Sequence, residues 1–136
     1  MGDGFRFTRL EGGRKLRCQT LAEAMKLGER ETWLFVSPHD DDTCLGGGIL
    51  LQAALGAGVS VHALIVTDGS MGYCSMEQEK TIVEIRRAET LRSFGILGLE
   101  SGRVTWIGYP DCNLMGYQGR RKARAGEPEV AGYAGL

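Results

Sequence analysis

The sequence has no C-x-x-C pair, no surplus of charge of either sign and only two histidines. Its four cysteines, Cys18, Cys44, Cys74 and Cys112, stand at least 26 residues apart. That spacing offers neither a zinc knuckle nor a dithiol redox motif and is the usage of reduced thiols. Sixteen basic residues against 17 acidic ones leave a net charge of -1, and the basic residues are scattered, so nothing electrostatic points to nucleic acid as a partner. The opening MGDGFRFTRL lacks the apolar centre of an export signal, which points to a cytoplasmic location. The stretch from Thr43 to Thr67 carries no carboxylate, lysine or arginine and is long enough in principle to cross a bilayer. Glycines, Gln52, Ser60 and His62 interrupt it, and Gly56-Ala57-Gly58 divides it in two. Two buried elements joined by a turn are expected, with no membrane span.

What is present suits one folded domain. Apolar residues make up 43% and charged residues 24% of 136 positions, which excludes a disordered tail and is enough chain for one buried core. Glycine, at 21 copies, is about twice its usual frequency of about 7% and clusters without a period, so tight turns and close backbone approaches are expected. There are no internal repeats.

Residues 1–30 read as a lead-in. Phe5 and Phe7 alternate before a Gly12-Gly13 turn, and Thr20 with Glu23 has the spacing of a capping box that opens a short helix stopped at Gly28. Residues 31–115 form the α/β core. Trp33 to Val36 is a continuous apolar run, the pattern of a strand covered on both faces. Ile49 to Leu55 is a buried helix, Val59 to Val66 a second strand, residues from about Glu77 to Phe94 a second helix ending at Gly95 or Gly98, and Val104 to Tyr109 a third strand. Alternation of this kind predicts a Rossmann-like three-layer α/β fold with a mainly parallel sheet. Residues 116–136, glycine-rich and basic, read as loop or a truncated segment, and the fold is expected to be incomplete at its C-terminus.

In open α/β sheets ligands bind beyond the carboxyl ends of the strands. Those ends carry Pro38-His39-Asp40-Asp41-Asp42, Thr67-Asp68-Gly69 and Tyr109-Pro110-Asp111. Three successive aspartates repel one another, and a bound cation converts the repulsion into coordination. An imidazole beside carboxylates favours Zn²⁺, whereas an all-oxygen set would favour Mg²⁺. The plainer alternative makes Asp42 or Thr43 a helix cap and His39 a packing residue. A dinucleotide site fits less well, because Leu51 stands where the last glycine of G-x-G-x-x-G would be and three aspartates occupy the pyrophosphate position. An Asp40-x-Asp42 phosphotransferase of the haloacid-dehalogenase type, using Mg²⁺, is the stronger rival, but it leaves His39 and Gly46 to Gly48 without a role.

Ser37-Pro38-His39-Asp40-Asp41-Asp42 followed by Leu45-Gly46-Gly47-Gly48 resembles the N-terminal signature of the LmbE-like, or PIG-L, zinc-dependent N-acetylglucosaminyl deacetylases. The resemblance continues through Leu64 to Gly69, Ile85-Arg86-Arg87-Ala88-Glu89 and Gly108-Tyr109-Pro110-Asp111, and covers roughly residues 33–114. It implies that His39 and Asp42 are two zinc ligands and that Asp41 is the carboxylate taking the proton of the attacking water. Arg86 and Asp111 would contact substrate, although an ordinary i,i+3 ion pair accounts equally for Arg86 and Glu89. The implied cofactor is Zn²⁺, and the implied partner is a small acylated amino sugar such as an N-acetylglucosamine derivative; self-association as a homo-oligomer is left open. Asp40 stands where the family has proline. The family's third ligand, a histidine from a later strand, has no counterpart here, since His62 lies inside the second strand. A truncated, non-catalytic domain of the same kind is therefore the remaining alternative.

Overall fold

The computed structural model describes residues 4–118 and Ala125. The lead-in is more ordered than its composition predicts. β1 (Phe7–Glu11) and β2 (Arg14–Cys18) pair antiparallel, and the two-residue turn between them has both φ angles positive, +55° and +78°. Only glycines adopt such a turn without strain, which is why Gly12-Gly13 makes a tight hairpin. α1 (Leu21–Met25) follows. Thr20 caps it by accepting from the Glu23 N–H at 3.1 Å, and Glu23 reaches back to the Gln19 N–H at 2.7 Å. The helix ends at a left-handed Lys26, two residues before the expected stop at Gly28. The Lys26 ammonium there pairs with Glu11 of the hairpin at 2.8 Å.

β3 (Thr32–Ser37), α2 (Gly48–Gly56), β4 (Ser60–Thr67), α3 (Ile82–Ile96) and β5 (Val104–Tyr109) form the core. The three strands are parallel in the order β3-β4-β5, so the α/β class and parallel sheet expected from the sequence are those of the protein. α2 is entered through one π-helical turn, Thr43–Gly47. Gly47 permits that entry: a β-carbon there would stand 3.3 Å from the Phe35 ring, so the turn lies directly on β3. The uncharged stretch from Thr43 to Thr67 is thus a turn, a helix and a strand. No helix among the described residues is long and apolar enough to cross a membrane.

α3 starts at Ile82 rather than near Glu77. The Gln78 side chain accepts from the Cys74 N–H at 3.0 Å and its carbonyl accepts from the Thr81 N–H, which folds the preceding residues into a separate turn. At the other end α3 runs through Gly95 and stops at left-handed Gly98, where the Leu99 N–H bonds the Phe94 carbonyl at 2.9 Å. A final turn, α4 (Leu114–Tyr117), follows β5. The rest of the basic segment predicted as loop, apart from Ala125, lies outside the described residues.

The core lies on one face of the sheet. Val61, Ala63 and Ile65 alternate inward along β4 and meet Leu51 and Ala54 of α2, Phe94 of α3, and Leu99. Phe94, Leu51 and Ile65 are completely buried. Arg87 of α3 lies over the Trp106 ring of β5, 5.6 Å from its centroid. The opposite face carries Leu34, Val36, Leu64 and Val66; α2 and α3 leave it open, and Leu34 and Val36 are 59% and 57% exposed. The unbroken run of β3 predicts a strand covered on both faces; it is apolar on both, but these helices cover only one.

Candidate metal centre

The carboxyl ends of the three strands are joined to one another, and that joining creates the site. Thr67, the last residue of β4, donates both its N–H (3.0 Å) and its hydroxyl (2.9 Å) to the Pro38 carbonyl after β3. The Asp68 N–H donates to the Tyr109 carbonyl at the end of β5 at 2.9 Å. Ser37, fully buried, accepts from the Thr43 N–H at 3.0 Å and so closes the loop holding His39 to Asp42.

Within that loop Asp42 turns back on His39. Its Oδ2 accepts from the His39 N–H at 2.9 Å and lies 3.3 Å from His39 Nδ1. His39 is also approached from the far strand, because Asp111 Oδ1 stands 3.2 Å from His39 Nε2. Asp111 is 9% exposed, against 50% for His39 and 46% for Asp42. Its N–H bonds Asp68 Oδ1 at 3.1 Å and approaches Ser70 Oγ at 3.4 Å.

Asp40 and Asp41 take other directions. Asp40 faces Arg86 of α3, with Oδ2 3.8 Å from Nε. Burial pushes the Asp40 carboxyl above its ordinary range; bonding to its own backbone and the Arg86 charge oppose that rise, while Asp41 and Asp111 add to it. Arg86 also pairs with Glu89 at 3.2 Å, so the ion pair expected from their spacing exists and the same guanidinium additionally braces the aspartate loop. Asp41 and Asp40 line a cavity of about 370 Å³ together with Cys44, Arg86, Glu89 and Thr90. Burial raises the Cys44 thiol, with help from the charges of Asp41 and Asp40.

Whether these residues suit a metal is a matter of donor chemistry. Two donors bound to one tetrahedral ion at about 2.0 Å stand about 3.3 Å apart, the separation of His39 Nδ1 from Asp42 Oδ2. The pair fits two corners of a zinc site. No group of three His, Cys, Asp or Glu side chains among the described residues closes on one point as a complete cage. His62 is elsewhere: it sits early in β4, where Arg103 Nη1 lies 3.3 Å from its Nε2 and bonds Ser60 Oγ at 2.9 Å. Sequence reasoning places Asp68 at the strand ends without a settled role and passes over Ser70 and Gly72. The only signal for the first was an Asp-Gly dipeptide at a strand end, which reads equally as a turn.

The sequence profile of the GlcNAc-PI de-N-acetylase family, PIG-L, matches residues 34–128. The chain belongs to this family. A curated relative, the diacetylchitobiose deacetylase of Thermococcus kodakarensis, is 33% identical over 82 residues, which are 60% of this chain and 30% of that protein. Among solved structures, the N,N'-diacetylchitobiose deacetylase of Pyrococcus horikoshii, complexed with its inhibitor MPG, is similar at a TM-score of 0.57 with 28% identity, over 67% of this chain and 36% of that one. GalB, the 4-carboxy-2-hydroxymuconate hydratase of Pseudomonas putida KT2440, shares the fold at a TM-score of 0.53 with 23% identity over 60% of this chain and 35% of that one. The chain thus spans about a third of the length of these PIG-L and fold relatives. The family membership sets aside the phosphotransferase reading of Asp40 and Asp42, and GalB shows that the fold alone does not fix the reaction.

Proposed function

We propose that this chain carries the N-terminal part of a zinc-dependent deacetylase site acting on an N-acetylated amino sugar. The observation that carries the reading is the His39 Nδ1–Asp42 Oδ2 separation of 3.3 Å at the carboxyl rim of the sheet, within a chain of the PIG-L family. His39 and Asp42 would hold zinc. Bound zinc would supply Lewis acidity, polarising the acetamide carbonyl and lowering the pKa of water to about 7.

The remaining work falls to this chain's own groups. Asp41 adjoins Asp42 in sequence and lines the cavity beside α3; its carboxylate would take the proton of the attacking water while Asp42 is turned to His39. The C–O bond forms, the C–N bond breaks, and Asp41 returns the proton to the departing amine. Arg86, which lines the same cavity, would bond sugar hydroxyls.

The substrate class rests on the relatives, whose names specify diacetylchitobiose, a disaccharide of N-acetylglucosamine. The test is release of acetate from N,N'-diacetylchitobiose and from N-acetylglucosamine by the zinc-loaded chain, with Asp41→Asn alongside. With two of the usual three protein ligands, the expected result is slight zinc-dependent acetate release that falls at least 10²-fold in Asp41→Asn, the lower end of general-base effects. Zinc binding at His39 without any acetate release would instead favour a non-catalytic domain of the same family.

A further inference from the structure

Asp111 Oδ1 is buried and accepts no hydrogen bond, although the side chain is only 9% exposed. A buried carboxylate oxygen without a donor is destabilising, and among the described residues His39 Nε2 stands 3.2 Å away. The line between them is too bent for a bond as the ring stands. The imidazole is half exposed, so the ring is not packed tightly against turning an Nε2 proton towards Oδ1.

We propose that Asp111 is the outer carboxylate of His39: it accepts the Nε2 proton and thereby leaves Nδ1 bare, on the side of Asp42, to take the metal. The inference rests on the zinc reading given above and assigns Asp111 a positioning role there, distinct from a contact with sugar. The argument turns on which aspartate needs the imidazole proton. Asp42 could accept a proton from Nδ1, but it is 46% exposed, so water can satisfy it. Asp111 Oδ1 is buried, and among the described residues the ring nitrogen beside it is Nε2. The tautomer with hydrogen on Nε2 is therefore the one that leaves no buried oxygen unpaired, and it presents Nδ1 to the metal. Direct ligation by Asp111 fits less well, because Oδ1 approaches one ring nitrogen and Asp42 Oδ2 the other.

Asp68 completes the device. Its Oδ1 accepts the N–H groups of Ser70 (2.9 Å) and Asp111 (3.1 Å), and its own N–H is bonded to Tyr109. One carboxylate oxygen thus fixes the backbone from which Asp111 projects. Immediately afterwards the chain turns through Cys112 at φ 58°, a left-handed conformation that a non-glycine residue keeps only where its surroundings hold it.

With two histidines in the chain, the test is direct. Long-range ¹H–¹⁵N correlation of the histidine-labelled chain at about pH 8, above the ordinary imidazole pKa of about 6.5, reads each tautomer, and His62→Gln assigns the signals. His39 is expected to carry hydrogen on Nε2 and to keep it there on adding zinc. Asp111→Ala should lose this preference and weaken the zinc dissociation constant about 10- to 100-fold, the usual size of such outer-shell losses. Asp68→Ala should move both readouts in the same direction. Asp111→Asn, which preserves volume, serves if the alanine variant does not fold, and should weaken zinc by removing the charge.

A wild-type His39 with hydrogen on Nδ1, or zinc affinity untouched by Asp111→Ala with only KM altered, would overturn the proposal and leave Asp111 a substrate contact. Zinc binding indifferent to His39→Ala would overturn the zinc reading itself.

Discussion

Arg86 occupies the space that a side chain on Gly72 would need. A β-carbon at that position would stand 2.7 Å from the guanidinium Nε and 3.1 Å from Nη2. The loop after β4 therefore lies flat over the arginine, and Nε is buried there without a hydrogen bond. Packing as well as charge keeps Arg86 on the cavity wall. Gly72→Ala must push the guanidinium aside, and because this is the far end of a flexible side chain the cost in stability should be small. Thermal unfolding beside steady-state kinetics on diacetylchitobiose should show a slightly lower Tm and a raised KM; an unchanged KM would show that Arg86 does not touch substrate.

Two glycines of the α3 terminus should respond to alanine with opposite signs. Gly95 is inside the helix, and nothing lies within 4 Å of its added β-carbon, so Gly95→Ala should stabilise by about 0.5–1 kcal/mol. Gly98 has φ +95°, a region closed to alanine without strain, and Gly98→Ala should destabilise by more than that. Urea unfolding of the two variants checks the pair.

Phe94 is completely buried at the centre of the helix–sheet contact. Phe94→Ala should cost about 3–5 kcal/mol, the usual range for emptying a core aromatic site. Chemical denaturation gives the value, and a loss below about 1 kcal/mol would mean that the surrounding chains collapse into the gap.

Zinc retained after dialysis should disappear in His39→Ala and Asp42→Ala and survive in His62→Ala, because His62 lies at the other end of β4 beside Arg103. Two protein donors are fewer than the three that catalytic zinc sites ordinarily present, so retention by this chain should be weak. Elemental analysis measures both. Equal losses at His39 and His62 would refute the assignment of the site to the strand ends.

Glu11 gives the expected acid response of the hairpin. Hydrogen bonds from Lys26 and then Arg9, followed by their charges, hold its carboxyl below the ordinary 4.5. A depressed folded pKa means that the tie between hairpin and α1 is complete above the unfolded pKa and is lost as pH falls through the folded one. Lys26→Met should raise the Glu11 titration midpoint, observed by carboxyl NMR; a midpoint that stays in place would show that Lys26 is not the governing partner.

Local chemistry made much of this legible in the sequence. Apolar runs located β3, β4 and β5, and the family resemblance of Ser37 to Asp42 implied His39 and Asp42, a pair that meets within a single turn. The hairpin was harder, since Arg14 to Cys18 is mostly exposed and charged and only its two glycines disclose it. The role of Asp68 could not be read at all, because it depends on an N–H from a residue 43 positions later. Arg86 was recognisable as a helix residue with a partner at i+3, but its neighbours Asp40 and Gly72 come from different loops, and no periodicity joins them. The open sheet face escapes sequence reading for the same reason: apolarity shows what a strand can bury, and only topology shows where the helices go.

β4 is the middle strand, and both outer loops are moored to its last residue and the one after it. The loop bearing His39 hangs on Thr67 through two bonds to Pro38, and the loop bearing Asp111 hangs on Asp68. Damage to an edge strand consequently releases one loop, whereas damage at residues 67–68 releases both together. Tolerance to substitution along this rim is therefore uneven, permissive at the periphery and severe at the centre. Two residues that supply neither of the proposed metal ligands limit how far the whole edge can drift.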